Sequence, residues 1–314
     1  TSSLQPKPIG TGDAVRCGLD KVQNDSKVLV LYGDVPLIKK ETLQNLIDSS
    51  NSGLSILTTV LDKPFGYGRV KTNDNNEALE IVEEKDATDE ERQIQEIFTG
   101  VLCGSKALIE EGLSKITNNN AAGEFYLTDL VSVINEKGIR INTYKASNEE
   151  VKGANSKQEL EQLEATYRAM QVEDLFEKGI TITDASRLDV RGSVECGKDC
   201  SIDVNVILEG NIVLGDNVSI GPNCIVKNAN IGSNTKIEAF SHIDGAKIAD
   251  NCVIGPYARL REGSQIESSA KVGNFVETKN STLGKGSKAN HFTYLGDTII
   301  GEGTNVGAGT ITCN

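Results

Sequence analysis

Long apolar runs are absent from this 314-residue sequence. No stretch reaches the roughly 18 consecutive apolar residues that cross a bilayer. The first ten residues, TSSLQPKPIG, also lack the apolar core of a signal peptide. The sequence therefore contains neither a membrane-spanning helix nor a secretory signal of the usual kind, and we expect a cytoplasmic protein with no membrane partner.

Basic residues are in short supply. Lys and Arg total 32 against 45 Asp and Glu, which gives a formal net charge of -13 and a pI of about 4.8. A general nucleic-acid surface needs clustered Lys and Arg, so we expect no nucleic-acid partner. An acidic protein can still bind a phosphorylated small molecule where it gathers a few cations locally.

The second half of the chain is an internal repeat. Large aliphatic residues recur at every sixth position, with occasional five-residue steps, and 18 of the 22 positions in the series are Val, Ile or Leu. Small residues stand two positions before the aliphatic residues from Cys224 onward. The series comprises Val190, Cys196, Ile202, Leu208, Leu214, Ile220, Val226, Ile231, Ile237, Ile243, Ile248, Ile254, Leu260, Ile266, Val272, Thr278, Leu283, Ala289, Leu295, Ile300, Val306 and Thr312.

A six-residue period predicts a parallel β-helix of hexapeptide repeats. Three hexads make one coil of 17 or 18 residues, with the aliphatic residue on the axis of a triangular prism and the small residue at its corner. Glycine often follows the aliphatic residue, as at Gly215, Gly255 and Gly273, and we expect a positive φ at these turns. Prisms of this class are usually left-handed, so left-handed winding is expected from that resemblance alone.

Cysteine and histidine do not indicate a metal. The seven cysteines contain no CxxC pair, and Cys200, Cys224 and Cys252 fall in the small-residue positions, so we expect buried, reduced thiols. A carbonic-anhydrase-like prism needs three histidine ligands for zinc, whereas this chain has only His242 and His291. We expect His242, just before an axial residue, to lie on the surface.

Residues 1 to about 150 have the pattern of an α/β layer structure. Val28 to Tyr32 form a continuous apolar run, which is typical of a buried parallel strand. Asp34 follows at the carboxyl end of this strand, where open α/β sheets bind ligands. Further strands are predicted at 54–60, 80–84 and 98–103, a glycine-rich turn at 65–70 leads into another strand, and helices are predicted at 42–49 and 127–135.

A helix is predicted to follow this region. Ser156 and Glu159 form a capping box, and Gly179 ends the helix. We expect its apolar stripe to be packed, and the stripe consists of Leu160, Leu163, Tyr167 and Met170. The predicted domains are a partial nucleotide-binding domain at 1–155, a linker helix at 156–179 and a β-helix domain at 180–314.

Both ends lack an expected element. A sheet of this kind usually opens with a strand and a glycine-rich loop that holds the nucleotide phosphates. At the other end the repeat stops at Thr312-Cys313-Asn314, in the middle of a coil and without a cap. We therefore expect both domains to be incomplete.

Four motifs occur together on this two-domain pattern: YGDVPLI at 32–38, GYGR at 66–69, EEKDATDEERQIQEI at 83–97 and NHFTYLGD at 290–297. In combination they resemble the bacterial bifunctional N-acetylglucosamine-1-phosphate uridyltransferase and glucosamine-1-phosphate acetyltransferase family, over essentially the whole chain. The resemblance implies a truncated Rossmann-like nucleotidyltransferase domain and a left-handed β-helix acetyltransferase domain that together make UDP-N-acetylglucosamine for peptidoglycan. Because the nucleotide loop of that family is missing, we expect little or no uridyltransferase activity, and both activities are expected to be impaired.

The resemblance assigns roles in the first domain. Asp34 and Asn155 would hold the Mg²⁺ that bridges phosphates of UTP, since hard oxygen ligands suit this ion. Where the family usually has Asn, this chain has Phe98, so a hydrogen bond to the sugar is lost or supplied elsewhere. The residues expected to contact the UDP-sugar are Gln5, Gly10, Thr11, Tyr32, Gly33, Asp34, Gly68, Glu83 and Asn155.

The repeat itself predicts a cationic site in the second domain. Arg261 and Lys279 each follow an axial position on the same face, one coil apart, so they lie at about the 4.8 Å spacing of neighbouring strands. Two stacked cations repel each other unless an anion lies between them, which suggests a phosphate site. A solvated outer face is the alternative.

The resemblance completes this second site. His291 would be the general base, since an imidazole titrates at about pH 6.5 and can take a proton from an ammonium group. Arg261, Lys279, Tyr294 and Asn305 would bind glucosamine-1-phosphate. Ala308 and Asn314 would contact acetyl-CoA.

Two other interpretations remain open. In one, the β-helix is only a trimerisation scaffold for a nucleotidyltransferase, and replacement of His291 would leave activity intact. In the other, the chain is a non-catalytic solenoid, although the outward-facing cations and imidazole argue against this. A prism with three flat faces normally assembles around a threefold axis, so we expect a homotrimer with ligand sites between subunits.

Overall fold

The computed structural model describes residues 2–312. The chain divides into two compact units, Thr1–Leu163 and Glu164–Asn314. This division falls inside the helix predicted at 156–179, and each unit has its own buried core.

The first unit is a six-stranded sheet with helices against it. The strands are β1 (Lys27–Val30), β2 (Leu54–Val60), β3 (Arg69–Thr72), β4 (Ala78–Val82), β5 (Glu96–Ser105) and β6 (Ile141–Lys145). The helices are α1 (Thr11–Leu19), α2 (Lys40–Ser49), α3 (Lys106–Leu113) and α4 (Asp129–Asn135), with single 3₁₀ turns at Ser50–Ser52 and Glu91–Gln93. The strand order is β4-β3-β5-β2-β6, and β1 pairs with β5.

The apolar pattern located the strands but not their direction. β2 is buried at six of its seven positions and pairs in parallel with β6, as a covered strand should. The predicted buried parallel strand at Val28 to Tyr32 is wrong in direction and length. β1 ends at Val30, is only half-buried and runs antiparallel to the end of β5, because an apolar run indicates covered faces and carries no information on the neighbour's direction.

Helix α5 (Lys157–Glu177) begins and ends where the sequence predicted. The amide of Glu159 donates to Ser156 Oγ at 3.2 Å, which is one half of the capping box, and Gly179 adopts a φ of 79° past the end. The prediction of a packed stripe is wrong for two of its residues. Leu160 and Tyr167 are 47% and 50% exposed, whereas Leu163 is buried.

The second unit is a parallel β-helix. Its strands are β7 (Thr181–Ile182), β8 (Leu188–Cys196), β9 (Ser201–Ile202), β10 (Val206–Leu214), β11 (Ser219–Ile220), β12 (Ile225–Lys227), β13 (Asn230–Ile231), β14 (Lys236–Ile237), β15 (His242–Asp244), β16 (Lys247–Ile248), β17 (Val253–Ile254), β18 (Arg259–Leu260), β19 (Gln265–Ile266), β20 (Lys271–Lys279), β21 (Thr282–Leu283), β22 (Lys288–Gly296), β23 (Ile299–Ile300), β24 (Asn305–Val306) and β25 (Ile311–Thr312), with a 3₁₀ turn at Ala185–Arg187. Every pairing between these strands is parallel, and partners are one coil apart, as in Val226 with Ile243 and Ile243 with Leu260.

The hexad series forms the axis of this unit, as predicted. Nearly all of its members up to Leu295 are buried, and they form one continuous apolar core. The small residues two positions earlier are buried too, with Cys224, Thr235 and Cys252 at 0% exposure. Burial of each large aliphatic side chain contributes roughly 1.5–3 kcal/mol, so this repeated row is the main source of the unit's stability.

The expected reason for the glycines was wrong at most positions. Among the glycines that follow axial residues, Gly255 has a positive φ of 97°, but Gly215 and Gly273 do not. A Cβ at Gly273 would overlap the carbonyl of Asn290 in the next coil, so close approach between coils excludes a side chain there. The left-handed backbone positions are occupied instead by residues such as Asn205 and Asn223.

One corner of the β-helix carries an aromatic column. Phe240, Tyr257, Phe275 and Phe292 occupy equivalent positions in successive coils, all with φ between 46° and 60°. Neighbouring rings stack with centroids 4.9, 5.3 and 5.2 Å apart, and each residue is about half exposed. Bulky residues seldom adopt this backbone conformation, and the stacking offsets part of its cost.

Candidate functional site

A cavity of about 250 Å³ opens in the first unit, where β2 ends and β5 begins. Its walls come from segments far apart in the chain. They include five of the residues predicted from the sequence: Tyr32, Asp34, Gly68, Glu83 and Asn155.

Glu83 and Tyr32 supply polar groups to the wall of this cavity. The carboxylate of Glu83 accepts a hydrogen bond from Thr128 Oγ1 at 2.9 Å. Burial raises the pKa of Glu83 against the opposing effect of that hydrogen bond. Burial, followed by the charge of Glu83, also raises the pKa of Tyr32. An acceptor and a protonated hydroxyl facing one cavity suit a ligand rich in hydroxyl groups.

Asp129 adds a second carboxylate next to this wall. Burial, and then the charges of Glu83, Asp86 and Glu80, raise its pKa to about 6. The rise follows from like charges and from lost hydration, both of which penalise the ionised form.

The glycine-rich turn at Gly66 to Gly68 is held by a buried ion pair. Arg69 is 2% exposed, and its guanidinium donates to Glu84 Oε2 at 2.6 Å and to the carbonyl of Tyr67. The amide of Gly66 donates to the same carboxylate oxygen at 3.1 Å. Glu84 therefore bridges the arginine and the turn, and its pKa is lowered, first by the hydrogen bond from Arg69.

Asp34 and Asn155 were predicted to hold Mg²⁺, and both line the cavity. Gly153 lies beside Asp34. A Cβ at residue 153 would be 3.9 Å from Asp34 Oδ2, and glycine leaves that position next to the carboxylate empty. A carboxylate and an amide oxygen fit the ion, provided that phosphates and water complete its six ligands. No group of three or more His, Cys, Asp or Glu among residues 2–312 could hold a metal by itself.

A second cavity of about 430 Å³ adjoins the first and shares Tyr32 and Asp34 with it. Two more predicted residues, Thr11 and Gly33, line it. Gln5 and Gly10 are not among the lining residues of either cavity. Gln5 instead donates to the carbonyl of Gly10 at 3.1 Å and so holds the segment before α1.

Phe98 lines the first cavity with an apolar ring that is 5% exposed. Its amide donates to the carbonyl of Gly68 at 2.9 Å, which fixes the glycine turn against β5. The ring supplies no hydrogen bond at this point of the wall. Any polar contact to a sugar must therefore come from neighbours such as Thr99 or Thr128.

In the second unit the strand register places Arg261 and Lys279 at equivalent positions of neighbouring coils, since Leu260 pairs with Thr278. Arg261 already has a counter-ion, because its Nη1 lies 3.0 Å from Glu277 Oε1. Glu277 is also 3.7 Å from Arg259. The carboxylate of Glu277 thus supplies part of the negative charge that the stacked cations require, and the sequence analysis did not identify it.

His291 lies in a separate cleft of about 310 Å³. Its Nδ1 is 2.6 Å from Asn274 Oδ1, which lies one coil away. An amide oxygen only accepts, so Nδ1 carries the proton in this arrangement and Nε2 keeps its lone pair. Lys271 and Lys288 line the same cleft, and neither was singled out from the sequence.

The remaining predicted residues lie around this cleft and its neighbouring face. Tyr294 is half-buried and pairs with Glu277, and Asn305 pairs with Lys288. Ala308 is exposed. Asn314 lies outside the described residues.

The missed residues share a position that the hexad pattern defines. Glu277, Lys271 and Lys288 each stand one residue before an axial position, so each points away from the prism axis. Sequence reasoning used this position for His242, Tyr294 and Asn305, but it looked for stacked charges only at the position after the axial residue. Extending the register by one residue would have found them.

No helix among the described residues is long and apolar enough to cross a membrane. His242, predicted to lie on the surface, is half-buried in β15. The cysteines at the corners, Cys200, Cys224 and Cys252, are free thiols with 0% exposure, and burial raises the pKa of each.

Comparison with known proteins gives consistent matches. The nucleotidyl transferase family matches residues 1–174, and the GMPPB C-terminal domain matches residues 190–266. A bifunctional protein GlmU from Burkholderia multivorans is 48% identical over 314 residues, which cover 99% of this chain and 69% of that protein. The GlmU proteins of Paraburkholderia phymatum (49%, with 99% and 69% covered) and Acinetobacter baumannii (48%, with 99% and 68% covered) are similarly close.

Proposed function

The chain belongs to the family of bifunctional GlmU proteins, and from this premise we propose which residues carry the two reactions of UDP-N-acetylglucosamine synthesis. The β-helix unit transfers acetyl from acetyl-CoA to glucosamine-1-phosphate. The nucleotidyltransferase unit joins the product to UMP from UTP and releases pyrophosphate. The substrates of both reactions are small phosphorylated molecules, which bind in cavities and not on an extended surface.

His291 is the general base of acetyl transfer. With its Nδ1 proton engaged by Asn274, Nε2 takes a proton from the ammonium of glucosamine-1-phosphate. The free amine attacks the thioester carbonyl, a C–N bond forms, and the C–S bond breaks. The imidazolium then returns its proton to the leaving thiolate, and the nitrogen loses its second proton to solvent as the amide forms, so acetylation of the ammonium releases one proton overall.

Arg261, Lys279, Tyr294 and Asn305 hold the sugar phosphate for this step. The pairing of neighbouring coils supports the proposal, since it brings the two cations to equivalent positions. Glu277 orients the guanidinium of Arg261 and keeps the local charge from becoming strongly positive. Ala308 and Asn314 contact the acetyl-CoA end.

In the first unit, Tyr32, Glu83 and Gly68 position the N-acetylated sugar, and Gln5, Gly10, Thr11 and Gly33 position the uridine. A phosphate oxygen of the sugar attacks the α-phosphorus of UTP, and pyrophosphate leaves, a reaction that depends mainly on positioning. Asp34 and Asn155 would hold Mg²⁺, which supplies charge neutralisation at the phosphates when bound.

The observation that carries this proposal is the convergence on one cavity of five predicted residues from four separate segments of the chain. The test replaces Asp34 by Asn and His291 by Ala, each in the whole chain. Asp34→Asn should remove the residual UDP-N-acetylglucosamine formation and leave acetyl transfer unchanged, and His291→Ala should do the reverse. Asp74→Asn, an exposed carboxylate outside the cavity, is the matched control.

Loss of both activities in either variant, with the fold intact by circular dichroism, would contradict the division of labour. Full acetyl transfer by His291→Ala would show that His291 is not the general base, whereas no acetyl transfer by the unaltered trimer would favour a β-helix that serves only as a scaffold. Sedimentation equilibrium tests the homotrimer, which a prism with three flat faces supports. A monomer at micromolar concentration would contradict it.

A further inference from the structure

The segment 147–155, which follows β6, forms one side of the first cavity and is anchored near both of its ends. Near its start, the hydroxyl of Thr59 donates to Asn148 Oδ1 at 2.6 Å. Near its other end, the amide of Ala154 donates to the carbonyl of Asp34 at 3.0 Å. The residues of the segment that line the cavity are Asn148, Val151, Lys152, Gly153 and Asn155.

Glu150 fixes the middle of this segment against helix α2. Its carboxylate is 7% exposed, and Oε2 accepts from Thr42 Oγ1 at 2.6 Å and from the amide of Lys39 at 3.3 Å. Oε1 accepts from Ser147 Oγ at 3.3 Å. Lys39, the N-cap of α2, makes no side-chain cap of its own, so the carboxylate of Glu150 supplies an acceptor at the positive end of that helix. The residues directly after Glu150 therefore start from a fixed point.

Lys152 is the only Lys or Arg among the described residues that line this cavity, whose walls also carry the carboxylates of Asp34 and Glu83. It is exposed and forms no ion pair within the part of the chain that the structure describes. Its ammonium is a compact charge on a flexible four-carbon stem. Two carboxylates repel a phosphate group, and Lys152 supplies the positive charge that opposes this repulsion from within the protein.

The place of Lys152 favours the phosphate end of the sugar. Its neighbour Gly153 lies beside Asp34, and Asn155 follows three residues after Lys152. Asp34 and Asn155 are the proposed ligands of Mg²⁺, so Lys152 is on the side of the cavity where this ion would meet phosphates. The adjoining cavity, whose walls are proposed for the uridine, does not have Lys152 among its lining residues. The sugar phosphate is therefore favoured over the triphosphate.

We propose that Lys152 binds the 1-phosphate of the N-acetylated sugar in the first cavity, and that Glu150 is the positioning residue that holds its segment in place. The proposal rests on the proposed function and adds two residues that neither the resemblance nor the sequence pattern assigned. An ammonium group on one phosphate oxygen leaves another oxygen free to attack the α-phosphorus of UTP. The new P–O bond forms at that oxygen, the bond to pyrophosphate breaks with its electron pair, and Lys152 keeps its proton.

The experiment compares Lys152→Met and Lys152→Arg by NMR titration of the whole chain with Mg²⁺ present. The ligands are N-acetylglucosamine-1-phosphate, N-acetylglucosamine and UTP. Lys152→Met should weaken binding of the sugar phosphate roughly tenfold, the usual weight of a hydrogen bond to a charged group, and leave the other two affinities unchanged. Lys152→Arg should stay within about threefold of the parent. Lys157→Met is the matched control, because Lys157 is an exposed lysine of the same unit that does not line the cavity.

A double-mutant cycle tests the role of Glu150. Glu150→Ala should weaken binding of the sugar phosphate about threefold in the parent and not at all in Lys152→Met, because the segment then carries no ammonium group to position. Glu150→Gln keeps an oxygen that accepts from Thr42, so it should restore most of the affinity. An equal loss from Glu150→Ala in both backgrounds would show that this residue only supports the fold, and this overturns the positioning role.

Three outcomes overturn the role of Lys152. The first is unchanged binding of the sugar phosphate by Lys152→Met. The second is an equal loss for N-acetylglucosamine, which would mean that Lys152 contacts the sugar or shapes the cavity. The third is a loss confined to UTP, which would place the ammonium group on the triphosphate.

Failure of the proposed function has a different signature. If the unaltered chain binds N-acetylglucosamine-1-phosphate but forms no UDP-N-acetylglucosamine, uridyl transfer is contradicted, and the titrations still decide the role of Lys152. If it forms the product and Lys152→Met retains the parent KM for the sugar phosphate, the subsite alone is contradicted. No binding of the sugar phosphate by the unaltered chain at millimolar concentration would overturn both.

Discussion

Asp129 shows how burial and the negative charges near the first cavity act together on one carboxyl group. Its carboxylate lies half-buried near Glu83, Asp86 and Glu80, and its pKa rises from an ordinary 3.8 to about 6. A carboxyl group with a raised folded-state pKa contributes stability below its unfolded pKa and loses that contribution as the pH rises through the folded value. The residue is therefore unfavourable for folding at neutral pH, a cost consistent with a ligand-binding wall.

We predict that Asp129→Asn stabilises the protein at pH 7.5 by about 1 kcal/mol, a figure reduced from the buried limit because solvent screens the half-exposed group. The gain should shrink as the pH falls from about 6 to about 4, where the native aspartate is protonated as well. Urea unfolding at several pH values measures it. Asp74→Asn should show no such trend, and a gain that persists at pH 4 would contradict the assignment.

Arg69 acts on the cavity from behind the glycine turn. It is almost completely buried and pairs with Glu84, which also accepts from the turn amide of Gly66. Removing Arg69 takes away the closest partner of Glu84, which then keeps only the contact to Arg92 at 3.4 Å and the amide of Gly66.

We predict that Arg69→Met lowers the unfolding free energy by about 3 kcal/mol, whereas the double variant Arg69→Met, Glu84→Gln loses clearly less. A double-mutant cycle from chemical unfolding gives the coupling. Equal, additive losses would show that the pair is not a unit. The single variant should also raise KM for the uridyltransferase sugar substrate, because the turn that carries Gly68 loses its anchor.

At the scale of elements, sequence reasoning succeeded where one residue type repeats under one constraint. The axial series, the buried small residues and the ends of α5 follow from periodicity and capping, which are local properties. The direction of β1 and the exposure of Leu160 and Tyr167 depend on which segment becomes the neighbour, and no local pattern carries that information.

The residues of the candidate sites also fall into two groups, those that a sequence motif identifies and those whose role depends on a neighbouring coil. The residues of the first cavity were found through motifs, because family resemblance preserves them at matching positions. Glu277 and Lys271 escaped because an outward-facing residue gains meaning only from its neighbour one coil away. The glycine prediction failed for a related reason, since the space available at Gly273 is set by Asn290 in the next coil.

The tight contact at Gly273 yields a test of coil spacing. We predict that Gly273→Ala destabilises the β-helix unit by about 2 kcal/mol, because its Cβ would meet the carbonyl of Asn290 and adjacent coils must separate. Gly221→Ala is the matched comparison, since it has the same register position and a Cβ there would lie 3.0 Å from the nearest atom, the amide nitrogen of Ala239, so a smaller loss is expected. Thermal unfolding followed by far-ultraviolet circular dichroism measures both, and equal effects would contradict the steric explanation.

At the scale of the whole molecule, the second unit is a stack in which each coil contacts mainly the coils before and after it. Strand partners are 17 or 18 residues apart along the unit, as in Val226 with Ile243 and Ile243 with Leu260. The stability of such a stack is approximately a sum over coils and their interfaces.

We predict that deletion of residues 227–243, one complete coil, gives a folded β-helix with a melting temperature within about 5 °C of the parent. Deletion of residues 227–241 removes two fewer residues but brings Val226 and Ile243 out of phase, and this variant should unfold at least 15 °C lower or aggregate. The comparison uses circular dichroism on both proteins. Similar melting of the two would show that the phase of the repeat does not matter.

The aromatic column has a consequence of another kind. The four aromatic residues of the column occur once per coil, at Phe240, Tyr257, Phe275 and Phe292. Their rings therefore stack only when successive coils are in register. A coil that slipped by a single hexad would replace a ring by a residue from a different edge and interrupt the stack. The stacking of the rings is therefore available only in the correct register, and because Phe292 directly follows His291, the same register places that histidine in its cleft.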